Sequence, residues 1–170
     1  PDPSTLTAMD ELAARLAQAI ADHEPIALFG DYDVDGACSC ALMVRFLRHF
    51  GLEPQVHIPD RIFEGYGPNI AAMDRLIDSG ATLIIALDCG TTSDAPILHA
   101  RKRGATVLVV DHHLSDHELP QADALVNPNR PDDISGLGYL CAAGVTFMVL
   151  VAVNRALRQR GETRLPDLLK

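Results

Sequence analysis

The sequence lacks any apolar run long enough to cross a bilayer: runs such as Thr82 to Leu87 and Thr106 to Val110 fall far short of the roughly 20 residues that a spanning helix needs. No membrane association is expected. It opens on no signal peptide, which points to a cytoplasmic location. It is poor in cysteine, and Cys38, Cys40, Cys89 and Cys141 form no C-x-x-C pair, so free thiols in a reducing compartment are expected rather than a disulfide framework. It is also short of positive charge. With 14 Lys and Arg against 23 Asp and Glu, the net charge of −9 argues against an ordinary basic surface for polyanions, although bound metal ions reverse the sign locally. What the chain does have is apolar mass: 48% of 170 residues, enough to bury the core of one soluble domain.

Taken in order, Thr7-Ala8-Met9-Asp10 has the form of a capping box, and Met9, Leu12, Ala13, Leu16, Ala19 and Ile20 recur at helical spacing to about Asp22. Ile26 to Gly30 reads as a first strand, and a helix is expected from Ala37 until Gly51. Pro54 to Ile58 is a second strand. Pro68 opens a helix that Ser79-Gly80 ends, Thr82 to Leu87 is a strand buried on both faces, and Ser93 caps a helix to about Arg103. Strands at Thr106 to Val110 and Ala124 to Val126 and a helix from about Cys141 to Gln159 complete the pattern. Alternating strands and helices predict an α/β doubly wound architecture, a mostly parallel sheet with helices on both faces. The expected division is an N-terminal helix over 1–25 and an α/β core over 26–170.

Such sheets bind ligands at the carboxyl ends of their strands. Three strand ends here carry the same chemistry. Asp31-Tyr32-Asp33-Val34-Asp35-Gly36 follows the first strand, Asp88 the third and Asp111-His112-His113 the fourth. If those strands are neighbours, five carboxylates and two imidazoles meet on one edge, a concentration of negative charge that a divalent cation relieves. Oxygen and imidazole donors without thiolate suit Mn²⁺ or Mg²⁺ better than structural zinc, and a set this rich can hold two ions. Two ions roughly 4 Å apart serve phosphoester or phosphoanhydride hydrolysis. D-x-D-x-D-G also begins an EF-hand loop, but the twelfth position, which needs a bidentate Glu, is Leu42. An aspartyl nucleophile of the haloacid dehalogenase kind, at Asp33-Val34-Asp35-Gly36, leaves the Asp-His-His run without a use.

Gly30-Asp31-Tyr32-Asp33-Val34-Asp35-Gly36, Asp88-Cys89-Gly90, Asp111-His112-His113 and Gly136-Leu137-Gly138-Tyr139-Leu140-Cys141-Ala142-Ala143-Gly144-Val145 resemble the successive motifs of the DHH phosphoesterases. The form of the first motif and the loop over 61–67 are most similar to the RecJ-type single-strand DNA exonucleases, over nearly the whole chain from Ile26. The resemblance implies 5′ to 3′ hydrolysis of single-stranded DNA to mononucleotides with two Mn²⁺ or Mg²⁺ ions. It also implies a part in repair and recombination, with a single-strand-binding protein or helicase as partner. Carried across, Asp31, Asp33, Asp35, Asp88 and His112 resemble metal ligands, with Asp88 placed to bridge two ions. His113 resembles the residue that meets the scissile phosphate. Asp111 resembles a carboxylate that orients the imidazoles, and a strand-end turn former is its other reading.

Nucleic-acid contacts are expected from Arg61 to a phosphate and from Tyr66 to a base, against a loop ion pair and a packed ring as the plainer alternatives. The amides where Gly138 to Gly144 enter the last helix are candidates to cradle a phosphate, or else those glycines serve close packing. The resemblance also implies a further ligating Asp after the last helix and a second domain. No Asp beyond Asp133 follows an apolar strand, so the expectation is a partial catalytic core that binds metal weakly and hydrolyses DNA poorly or not at all, with a DHH hydrolase of small phosphorylated molecules such as pyrophosphate or short oligonucleotides, or a non-catalytic metal- or nucleic-acid-binding module, as the alternatives.

Overall fold

A computed structural model gives the arrangement of residues 1–60, 62–63, 65–114 and 118–169. A single 3₁₀ turn, Pro3–Thr5, leads into α1 (Met9–Ala21); then come β1 (Ile26–Gly30), α2 (Val34–His49), β2 (Gln55–His57) and α3 (Ile70–Asp78). β3 (Leu83–Leu87), α4 (Asp94–Lys102), β4 (Thr106–Val110), β5 (Ala124–Val126) and α5 (Ala142–Gln159) follow. The five strands form one sheet in the order β2-β1-β3-β4-β5, every pair parallel. β1, β3 and β4 are therefore the neighbours that convergence requires.

The strands β1, β3 and β4 are apolar at consecutive positions because both faces are covered. Ile26, Leu28, Leu83, Ile85, Leu87, Leu108 and Val110 face a cluster built with α1, α2 and α5. The alternate residues, among them Phe29, Ile84, Ala86, Val107 and Val109, face one built with α3 and α4. This is the doubly wound sandwich. Residues 1–25 are part of it, since Met9, Leu12, Leu16 and Ile20 of α1 lie in the same cluster as Val149 and Val153 of α5. Among the described residues no helix is long and apolar enough to cross a membrane.

Four local expectations are corrected. The capping box at Thr7 does not form: Ala8 is the N-cap, in a left-handed conformation with φ 63°, because the Thr7 amide donates to Asp133 Oδ2 and Asp10 accepts from the Ser4 hydroxyl. α3 is capped by Asn69, whose Oδ1 accepts from the Ala72 amide at 2.8 Å, so Pro68 precedes the helix instead of opening it. Ser93 holds the N-cap position of α4, but its side chain makes no capping bond. α2 starts at Val34, three residues early, since Asp33 Oδ1 accepts from the amides of Asp35 and Gly36, both at 2.9 Å. Half of the carboxylate motif is thus the first turn of a helix.

That early start needs a glycine. A Cβ on Gly36 would lie 2.5 Å from the Asp31 carbonyl oxygen and 2.8 Å from its carbon, both backbone atoms. Gly36→Ala is expected to lower the unfolding free energy by about 1–3 kcal/mol through this overpacking, read as a lower urea midpoint with an unchanged slope.

Candidate metal centre

The parallel register carries the site. Gly30 pairs with Leu87 and Leu87 with Val110, so the residues that follow, Asp31, Asp88 and Asp111, stand side by side as the strands end. The ladder extends through them: the Asp31 amide donates to Leu87 O, Asp88 to Val110 O and Asp111 to Val126 O. All three side chains are buried.

Asp88 occupies the middle of this row, and its environment is the most costly. Both carboxylate oxygens are buried, and neither receives a well-directed hydrogen bond among the described residues. Its backbone is left-handed, φ 61°, a conformation that Asn and Asp tolerate better than other side chains with a Cβ. Burial first, and then the negative charges of Asp33 and Asp35, push its pKa up to about 8. A carboxylate held this way in the absence of donors is a strong cation ligand.

Two groups of donors share it. Asp31, Asp33 and Asp88 bring one oxygen each within 4.8 Å of one another, and Asp88, His112 and His113 do the same with one oxygen and two ring nitrogens. His112 Nε2 lies 3.3 Å from Asp88 Oδ1 and 3.7 Å from Asp35 Oδ2. Asp31, whose Oδ1 accepts from the Tyr32 amide, has its pKa raised chiefly by burial; Asp33 has its pKa lowered, first by the Gly36 amide. Cys89 does not join the donors. Its thiol contacts Leu87 O and Phe29 O, and burial drives its pKa far up.

His113 differs from His112. Its Nδ1 lies 2.7 Å from Asp111 Oδ1, and that hydrogen bond raises the histidine pKa. Burial alone would raise the Asp111 pKa, but the bonds from His113 and Thr91 outweigh it and hold the carboxyl below its usual value. Asp111 also accepts from the amides of Thr91, His112 and His113. It is a buried hub of hydrogen bonds at the end of its strand.

Asp35 has a role that its spacing does not reveal. Its oxygens accept from the amides of Ala142 at 2.7 Å and Ala143 at 2.8 Å, capping α5, whose own N-cap Cys141 makes no side-chain bond. The amides expected to cradle a phosphate are occupied by this carboxylate. Gly144 lies in the first turn just beyond them, and Gly138 is packed under the side chain of Asn129. Tyr66 rests edge-on against His113, ring centroids 5.8 Å apart, with its hydroxyl 3.3 and 3.4 Å from the two ring nitrogens. Arg61, expected at a phosphate, lies outside the described residues.

Asn127, Asn129 and Thr91, which the sequence motifs do not single out, are hydrogen-bonded to the residues of this site. Asn127 follows β5 as the three aspartates follow their strands, and Val110 pairs with Val126, so it is the fourth member of the same row. Extending the strand-end rule to β5 would have found it.

Residues 25–169 match the model of the DHH family, N-terminal domain. The chain belongs to the DHH family. Among proteins similar to this DHH chain, the single-stranded-DNA-specific exonuclease RecJ of Dickeya dadantii is 40% identical over 147 residues, which are 86% of this chain and 26% of that protein. A structure of exonuclease RecJ bound to manganese superposes with a TM-score of 0.80 and 32% identity over 95% of this chain and 39% of the other. RecJ of Thermus thermophilus in complex with Mg²⁺ gives a TM-score of 0.52 and 26% identity over 95% and 18%. The DHH chain thus spans about a quarter of the length of the first of these relatives.

Proposed function

We propose that this chain is the catalytic part of a metal-dependent exonuclease that hydrolyses single-stranded DNA from the 5′ end. The observation that carries the reading is Asp88, a buried carboxylate that receives no well-directed hydrogen bond among the described residues and belongs to both groups of ligand atoms. Asp31, Asp33 and Asp88 would hold one Mn²⁺ or Mg²⁺, and Asp88, His112 and Asp35 the other. Bound there, the ions supply Lewis acidity toward the phosphodiester and lower the pKa of the attacking water.

The chain's own residues do the rest. The hydrogen bond to Asp111 raises the His113 pKa and favours its protonated form, which suits it to donate to a phosphate oxygen in preference to serving as a third metal ligand. Asp111 fixes the ring through Nδ1, which leaves Nε2, beside the Tyr66 hydroxyl, as the nitrogen to meet a phosphate. Tyr66 limits the ring's movement from the other side and offers an aromatic edge beside the phosphate position. With bound metal ions supplying local positive charge, the net charge of −9 does not exclude a polyanionic substrate. A cytoplasmic enzyme of DNA repair and recombination, working beside a single-strand-binding protein or a helicase, fits this reading.

In the intact protein, Mn²⁺ should release labelled mononucleotides from a 5′-labelled single strand, and EDTA should stop the release. Equal cleavage with EDTA present would overturn the metal-dependent reading.

A further inference from the structure

We propose that Asn127 and Asn129 are positioning residues that divide the histidine pair between them: Asn129 fixes His112 and Asn127 fixes His113. The inference rests on the metal-centre reading above and extends it to the loop after β5.

The side chain of Asn127 is fully buried. Its Nδ2 donates to Thr91 Oγ1 at 2.9 Å and to the His113 carbonyl at 2.8 Å, and its Oδ1 accepts from the Asn129 amide at 2.8 Å. Two acceptors on one side and a donor on the other fix the orientation of the amide, since a flip would oppose oxygen to oxygen and N–H to N–H. The contact with Thr91 sets the next link. Thr91 in turn bears on Asp111: its hydroxyl helps to hold that carboxyl's pKa down, its amide donates to Asp111 Oδ2 at 3.0 Å, and His113 Nδ1 lies 2.7 Å from Asp111 Oδ1. Asn127 therefore holds His113 twice, through its main chain and through the Thr91–Asp111 pair that orients its ring.

Asn129 does the equivalent for His112. Its Nδ2 donates to the His112 carbonyl at 2.6 Å and to the Gly138 carbonyl at 3.3 Å. Gly138 permits this approach, because a Cβ there would strike Asn129 Oδ1. The glycine considered above for a phosphate thus acquires a different reason for being small. Ends of β3, β4 and β5 are tied into one block on which both imidazoles are mounted, and a shift of a fraction of an ångström in that block moves the two rings differently.

A purely structural asparagine pair would lower stability and leave the two histidine functions equally affected. The positioning role predicts a split. In the intact protein, Asn129→Ala should weaken Mn²⁺ binding, measured calorimetrically with the metal alone, by about tenfold or more. At saturating Mn²⁺ it should retain most of its kcat. Asn127→Ala should keep the Mn²⁺ affinity within about threefold but lower kcat for a single-stranded oligonucleotide by about tenfold or more, with KM little changed. It should also lose the slowly exchanging His113 Nδ1 proton signal in NMR spectra of the metal-free protein. The calorimetric and NMR arms need no turnover, so they decide the proposal even if the protein proves not to cleave DNA. Should Asn127→Ala fail to fold, Thr91→Val tests the same link to Asp111 and Asn129→Ala, at a half-buried position, tests the other. Unchanged Mn²⁺ affinity in folded Asn129→Ala, or an intact His113 proton signal in folded Asn127→Ala or Thr91→Val, would overturn it.

Discussion

Asp88→Asn should make the metal-free protein more stable at pH 8, by on the order of 5 kcal/mol, while changing little near pH 4. The sign follows from the direction of the shift. Unfolded, the Asp88 carboxyl titrates near its ordinary value of 3.8; folded, burial and the charges of Asp33 and Asp35 raise it to about 8. Between those values the folded state binds a proton that the unfolded state has released, so this group's contribution is fully present below 3.8 and is lost as pH rises through 8. Asn has the shape of the protonated carboxyl and never ionises. The difference between variant and wild type should therefore grow by about 1.4 kcal/mol per pH unit across that window and then level off.

Other carboxylates, Asp33 and Asp111 among them, have lowered values and act in the opposite direction, which is why the difference between the two proteins, and not the wild-type curve, is the quantity to measure. Asn is also the replacement that suits φ 61°, whereas Ala at this position adds backbone strain to the loss of charge. Urea unfolding at several pH values, with EDTA and then with Mn²⁺, reads both consequences. Metal should stabilise wild type and leave Asp88→Asn nearly unmoved. A variant that is no more stable than wild type at pH 8 would show that the carboxyl is not held against its charge.

Asp35→Ala should destabilise the metal-free protein by about 2–4 kcal/mol, more than an exposed first-turn acid accounts for. Two charge-assisted bonds to Ala142 and Ala143 disappear, and the amides at the start of α5 lose their partners in a region where Cys141 offers no side-chain cap. Asp35→Asn keeps one acceptor oxygen and should lose about half as much. Because α5 packs on both α1 and α2, the loss should appear as lower global stability, not as local fraying. If both variants unfold at the wild-type urea concentration, the contact does not bind α5. The prediction also separates two roles for one residue: reduced Mn²⁺ affinity in Asp35→Asn at temperatures where it is fully folded would reflect the ligand, and the change in midpoint would reflect the cap.

Much of the site was legible because its pattern is local. Short apolar runs bounded by turn residues marked the strands, and the residue after each run named Asp31, Asp88 and Asp111 before their adjacency was known. Asp33 and Asp35 were found by spacing, but their partners were not. Asp33 is separated by two and three residues from the amides that it caps, and Asp35 by 107 and 108 from those of α5. The capping box at Thr7 failed for a similar reason, since Asp133 is 126 residues away and takes the Thr7 amide. Asn127 and Asn129 carried a weaker signal, because an asparagine after a short strand is also what an ordinary turn uses.

The sequence by itself determined the alternation of strand and helix, the doubly wound class and the acidic and imidazole character of one sheet edge. These depend on composition and period, which are properties of neighbouring residues. Only the tertiary structure decided which carboxyl has its pKa held down by hydrogen bonds, which has it pushed up by burial and which caps a helix. Those outcomes depend on burial and on hydrogen bonds across distant segments: Asp88, Asp111 and Asp35 are the same side chain, and their surroundings give one a pKa of about 8, another a charge held by His113 and Thr91, and the third the amides of α5.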